Sequence, residues 1–159
     1  MAELRLPADP ATAPDVDGYD LWGAPGHLIR RCQQRAVDLF VDEVGEDGPT
    51  PRQFAILLSV RQNPGINQTD LVRSTGIDRS TLTEILRRMA ARDWLRRNRQ
   101  PADRRTNALH LMPAGEAVLR GAIAAVERAQ DRILAPVAPA NRKAVLRALG
   151  RLAGLDEAP

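Results

Sequence analysis

Between Asn67 and Met89 the chain encodes two short helices set back to back, and that arrangement restricts the fold more than any other feature. Asn67 caps the first, which carries the apolar residues Leu71 and Val72. The helix ends at Gly76, because glycine takes the left-handed conformation that closes a helix without steric cost. Asp78 caps the second, whose apolar residues Leu82, Ile85, Leu86 and Met89 recur at helical spacing. Two short helices joined by a Gly-containing turn are the sequence form of a helix-turn-helix.

The flanking segments fit the same architecture. Leu28, Ile29, Cys32, Ala36, Leu39 and Phe40 mark a helix from about His27 to Val44, ended by GEDGP. Thr50, Pro51, Arg52 and Gln53 form a capping-box start with proline at the first helical position. The helix that follows holds Phe54, Leu57, Leu58 and Val60 and stops at Asn63, Pro64 and Gly65. After Met89 the period changes. Trp94 and Leu95 open a strand, Leu109 and Leu111 alternate around His110 in a second, and RRNRQPADRRTN is the polar hairpin tip between them. Pro113 starts a long helix through Leu134, with Val118, Ala122, Ile123, Val126 and Ile133 on its apolar side. A break at Pro136 and Pro139 precedes a last helix holding Val145, Leu146, Leu149 and Leu152. The expected fold is mainly α with a small two- to three-stranded wing, a winged helix-turn-helix. Residues 1–20, rich in Pro, Ala and Asp, read as a disordered arm.

The net charge of +3 is modest, but its distribution is uneven. Residues 71–111 hold ten Arg against Asp78, Glu84, Asp93 and Asp103, whereas residues 1–50 hold ten acids against four Arg. A concentrated positive segment points to a polyanion. Lys143 is the one lysine among 23 basic residues. Guanidinium suits bidentate phosphate and guanine contacts, although a genome-wide preference for Arg codons accounts for most of that ratio. It does not account for the clustering.

The helix that starts at Asp78 turns its second side outward. Arg79, Thr83 and Arg87 form one row and Ser80 and Glu84 the next, with Thr81 in the opening turn. This is a face of hydrogen-bonding groups of the size a major groove accepts; the alternative is a solvated helix face. Its place as the second helix of the pair, followed by an Arg-rich hairpin, favours DNA. On the hairpin, Arg96, Arg97, Arg99, Arg104 and Arg105 can reach neighbouring phosphates or the minor groove. Asp103 repels phosphate and is expected to hold a neighbouring Arg or pair with a helix end. Glu84 also repels phosphate, yet can accept from cytosine N4.

The stretch INQTDLVRSTGIDRSTLTEILRRMAARDWLRRNRQPADRRTNALHLMPAG resembles the DNA-binding core of MarR-family regulators. The Asp78, Arg79, Ser80, Thr81 opening matches that family's pattern, as do Asp103, Arg104 and Arg105 followed by Leu109, Leu111 and Gly115. With the flanking helices the resemblance covers about residues 25–155. It implies a recognition helix from Asp78 to Arg88 and a wing from Arg96 to Arg105. It further implies a winged helix-turn-helix domain over 50–112 and a helical dimerisation region over 21–48 and 113–155. The partners so implied are a double-stranded DNA operator, a second copy of the chain, and a small-molecule effector. A repressor is the expected mode of action. Two departures stand out: Met112 lies where the family usually has a capping Thr, and Asp93 where Gly is common.

For the effector, the resemblance implies an aromatic acid, since the segment Leu21 to Arg31 is similar to that of members controlling aromatic-acid breakdown. A planar apolar slot and a cation would come from Trp22, His27, Arg30 and Arg31, with Phe54 and Leu58 near the ring. An aromatic acyl-CoA thioester is the second effector class. The structural alternative has Trp22 sealing the core and both Arg paired with acids. Cys32, flanked by Arg30, Arg31 and Arg35, allows a redox role, but its place on the apolar row favours a buried, inert thiol.

Other classes find little support. One cysteine excludes an internal disulfide and a thiolate metal cluster, and two histidines are too few for most zinc sites. No HExxH, phosphate-binding Gly-rich loop or nucleophile elbow occurs, so neither an enzyme, a metal nor a cofactor is expected. No apolar run approaches the roughly 20 residues of a membrane span, and the N-terminus lacks the pattern of a secretory signal, so a cytoplasmic protein is expected. A winged-helix protein-interaction module, using its Arg face on an acidic partner, is the alternative class.

Overall fold

The computed structural model describes residues 16–99 and 107–155. Among these the order is α1 (Pro25–Val44), α2 (Pro51–Gln62), α3 (Gln68–Thr75), α4 (Arg79–Ala91), β1 (Leu95–Arg99), β2 (Asn107–Leu111), α5 (Pro113–Leu134) and α6 (Pro139–Leu152). This is a mainly helical fold with a small antiparallel wing. Two compact units divide at Gln34 and Arg35, within α1. Ahead of α1, residues 16–24 run through turns, in which the Tyr19 amide donates to the Val16 carbonyl and the Gly23 amide to Asp20 Oδ1; the rest of the arm expected over residues 1–20 lies outside the described residues.

Local chemistry sets the element ends. Thr50 Oγ1 accepts from the Gln53 amide at 3.3 Å, and Gln53 Oε1 accepts from the Thr50 amide at 2.9 Å, so α2 starts with a complete capping box. Asn67 Oδ1 caps α3 by accepting from the Asp70 amide at 2.9 Å, and Gly76 closes that helix at φ 66°. Asp78 Oδ1 caps α4 by accepting from the Thr81 amide at 2.9 Å. At its far end the Asp93 amide donates to the Ala90 carbonyl and the Trp94 amide to the Met89 carbonyl. These bonds form a Schellman closure, which places Asp93 at φ 54°. The Trp94 amide is spent on that closure, so β1 starts one residue later than the apolar pattern implied.

In the wing, Leu95 pairs with Leu111 and Arg97 with Leu109. The Gly65 amide donates to the Leu109 carbonyl at 3.1 Å and the Leu109 amide to the Ile66 carbonyl at 3.0 Å. The sheet is therefore two strands with one further backbone pairing from the α2–α3 connection. Leu57, Leu71, Leu82, Leu86, Met89, Leu95, Leu109 and Leu119 belong to one buried cluster, which fixes α3, α4 and the wing against α2 and α5. A second cluster of Phe40, Ala122 and Val126 joins the end of α1 to α5. Glu43 reinforces it by accepting from Arg128 at 2.8 Å and Arg132 at 2.9 Å.

One sequence expectation changes, and two apolar rows stay open in the single chain. Cys32 is exposed, not buried, as are Leu28 and Ile29 beside it. Of the apolar row of α1, only Leu39 and Phe40 are buried in the single chain. No residue of α6 is fully buried, Val145 being half-buried and Leu146, Leu149 and Leu152 52%, 48% and 68% exposed. Apolar rows that the single chain leaves uncovered are ordinary for a subunit of an assembly. No helix among the described residues is long and apolar enough to cross a membrane.

Candidate nucleic-acid interface

With Leu82, Leu86 and Met89 locked into the core, the outward side of α4 is fixed by helical geometry. Arg79, Ser80, Thr83, Arg87 and Arg88 are all exposed on it. Most of these side chains already have a defined hydrogen-bond partner. Arg79 Nη2 donates to Thr69 Oγ1 at 3.1 Å. Thr83 Oγ1 donates to the Arg79 carbonyl at 2.7 Å and accepts from Gln68 Nε2 at 2.6 Å. Ser80 Oγ donates to Asp78 Oδ1 at 2.6 Å. The Ser80 hydroxyl, then Thr81, hold the Asp78 carboxyl well below the usual carboxylate range. Thr81 itself is half-buried and contributes its amide to the cap.

Glu84 is engaged from two sides. Arg87 donates Nε to Oε2 at 3.0 Å and Nη2 to Oε1 at 2.8 Å, and Arg88 donates Nε to Oε1 at 2.9 Å. The Arg87 bonds, then those of Arg88, hold the Glu84 carboxyl down to about 2. The cytosine contact considered for Glu84 is left only the second lone pair of Oε2, since Oε1 already accepts from both arginines.

Gln68 and Thr69, on the first turn of α3, were not singled out in the sequence as site residues. They tie the outward face of α4 to the preceding helix. Local patterning carries no sign of this, because both belong to a polar QTD run that reads equally well as a solvated helix start.

In the wing, Arg96 and Arg97 are exposed on β1, opposite His110 and Leu109. Arg99 ends β1. Asp103, Arg104 and Arg105, expected at the wing tip, lie outside the described residues.

The residues expected at the effector site fall into two groups. Trp22, His27 and Arg31 come together at the start of α1: the Trp22 and His27 rings meet edge to face at 5.5 Å, and Arg31 Cζ lies 5.1 Å from the Trp22 ring centre. His27 Nε2 is buried and has no hydrogen-bond partner among the described residues. Trp22 is 67% exposed, so it does not seal a core in the single chain. Arg30 is exposed on the same helix. Phe54 and Leu58 are half-buried on α2 and pack against the main core, Phe54 also meeting Phe40 at 6.1 Å between ring centres.

Against known proteins, residues 50–106 match the sequence profile of the MarR family. The HTH-type transcriptional repressor NicR of Pseudomonas putida is 28% identical over 149 residues, 93% of this chain and 94% of that protein. The fold is similar to that of Bordetella bronchiseptica BpsR, whose DNA binding is regulated by 6-hydroxynicotinic acid; TM-score 0.80, 29% identity, 89% of this chain and 99% of that one. It is also similar to the transcriptional repressor CouR bound to a 23-mer DNA duplex, with TM-score 0.76, 34% identity, 84% of this chain and 94% of that one. CouR has also been solved with p-coumaroyl-CoA. These relatives are regulators of transcription, not enzymes.

Proposed function

Because the chain belongs to the MarR family, we propose that it is a repressor that binds a pseudo-palindromic DNA operator as a homodimer and responds to a small aromatic carboxylate. The observation that carries this reading is the outward face of α4, whose polar groups are already oriented by α3 and by one another. A pre-set row of guanidinium and hydroxyl groups on the second helix of the pair suits base edges in a major groove. Arg97, Arg99, Arg104 and Arg105 would supply backbone contacts, with Asp103 holding an arginine in place. Residues 50–112 form the DNA-binding domain, and residues 21–48 and 113–155 the dimerisation region. The exposed apolar rows of α1 and α6 support the second assignment.

The effector reading is supported by the group at the start of α1. An aromatic ring, an imidazole whose buried nitrogen has no partner among the described residues, and a guanidinium match the three needs of an aromatic acid: a planar surface, a hydrogen bond and a countercharge. The resemblance to BpsR adds to this, whereas CouR favours an acyl-CoA thioester as the second effector class.

A pool of random-sequence duplexes tests the DNA reading. The retained sites should be inverted repeats with half-site centres roughly 10 base pairs apart; retention of no duplex at low salt would refute it. Affinity for the retained site is then measured with 6-hydroxynicotinic acid and with p-coumaroyl-CoA. A shift of roughly 5- to 150-fold is the usual range for such coupling, and His27→Ala should abolish it while leaving basal DNA affinity intact. If the variant responds normally, the residues at the start of α1 are not the effector site.

A further inference from the structure

Glu84 sits midway along the outward face of α4, where an unpaired carboxylate would repel the phosphates lining a groove. It bridges two arginines instead, giving one oxygen to Arg87 alone and sharing the other between Arg87 and Arg88. Arg87 is thereby held through its Nε–Nη2 edge, one of the two edges a phosphate or a guanine can take in bidentate fashion. The side chains of Glu84, Arg87 and Arg88 stay 44%, 69% and 63% exposed. Ion pairs so exposed add little to folding stability, so stability gives no reason for a carboxylate between two arginines here. Its effect on charge is direct: it cancels one of two positive charges that would otherwise attract any phosphate.

Phosphate contacts are blind to sequence, whereas base contacts specify. A bonded carboxylate acts on the two in opposite directions. Each phosphate that approaches Arg87 or Arg88 competes with bonds already made, and a base edge meets a guanidinium whose position is already set. We infer that Glu84 is a specificity-determining positioning residue that does not itself touch DNA. It restrains Arg87 and Arg88, lowers sequence-independent binding, and so widens the gap between the operator and other DNA. The inference rests on the reading of α4 as the recognition helix.

The test compares wild type with Glu84→Gln, which keeps the shape and removes the charge. Two duplexes serve as probes: one of mixed sequence, and the strongest binder that wild type retains from the random pool. Glu84→Gln should bind the mixed duplex roughly tenfold more tightly at 0.1 M salt and steepen the salt dependence by about one ion per chain. The selected duplex should gain less, so that discrimination falls. In the Arg87→Ala/Arg88→Ala background Glu84 is unpaired and repels phosphate directly, so Glu84→Gln there should still tighten the mixed duplex but leave discrimination unchanged, because discrimination depends on the two arginines it restrains. Weaker binding of the mixed duplex by Glu84→Gln, or an undiminished fall in discrimination without the two arginines, would overturn the inference. Wild type that binds neither duplex would instead overturn the DNA reading itself.

Discussion

Two residues at the root of the wing show how backbone geometry restricts sequence at single positions. Gly115 lies in the first turn of α5, where an added Cβ would fall on the Trp94 carbonyl oxygen and 2.9 Å from its carbon. That carbonyl also accepts from the Met112 amide at 3.0 Å, so it cannot retreat without losing the bond that ties α5 to the wing. Gly115→Ala should cost about 1–3 kcal/mol, the usual range for forcing extra volume into a packed site, read as a lower midpoint in chemical denaturation. Asp93 presents the opposite case. Its φ of 54° is left-handed, which an L-residue pays for and glycine does not. Asp93→Gly should raise stability by up to about 1 kcal/mol, and Asp93→Val should lower it. A loss of stability in the glycine variant would mean that the Asp93 side chain contributes a contact outweighing its backbone strain. The depressed carboxyls of Asp78 and Glu84 set the direction of an acid-stability effect that is small, because both groups are solvent-exposed and screened. A folded-state pKa below the unfolded value gives a contribution present above the ordinary carboxylate range and lost as pH falls through the folded value. For Glu84 the loss runs from about 4.5 towards about 2, leaving this contribution flat near neutral pH.

Among the elements, what was legible in the sequence follows from how local the responsible physics is. Thr50, Asn67, Asp78 and Gly76 act on backbone groups within one turn, so their identity and spacing located the helix ends correctly. Met112 likewise leaves α5 without a side-chain cap, as its type implies. Trp94 was misplaced because its amide is claimed by the end of α4, a competition that alternation along a strand cannot reveal. The tie from α3 to α4 was invisible for a different reason: Gln68 and Thr83 are fifteen residues apart, and their bond depends on the angle between the helices. That tie can be tested. A hydrogen bond of this kind is worth about 1 kcal/mol net. Gln68→Ala should therefore weaken binding to the selected duplex by roughly twofold to tenfold, with a smaller loss on mixed-sequence DNA. Thr83→Ala should act through the same bond, so the double variant should lose less than the two single losses combined. Fully additive losses would show that Thr83 works independently of Gln68.

At the scale of the whole molecule, the deciding observation is what the single chain leaves uncovered. The apolar periodicity of α6 was plain in the sequence, and its burial was not, because periodicity tells which side of a helix is apolar and nothing of what covers it. Leu146, Leu149 and Leu152 recur every third residue and stay about half or more exposed, while no residue of α6 is buried. In a two-fold dimer each such leucine is covered twice, once on each subunit, and full burial of a leucine is worth about 1.5–3 kcal/mol. Leu149→Glu would place a carboxylate in the middle of that row, where burial without a partner is strongly unfavourable. The variant should sediment as a monomer at micromolar concentration, yet keep its helical content and a cooperative thermal transition, since α6 contributes no buried residue to the chain's own core. Its affinity for the inverted repeat should fall to that of a single half-site, because the second recognition helix no longer arrives with the first. A Leu149→Glu protein that stays dimeric and binds the repeat as wild type does would remove α6 from the interface and leave its leucines in need of another partner.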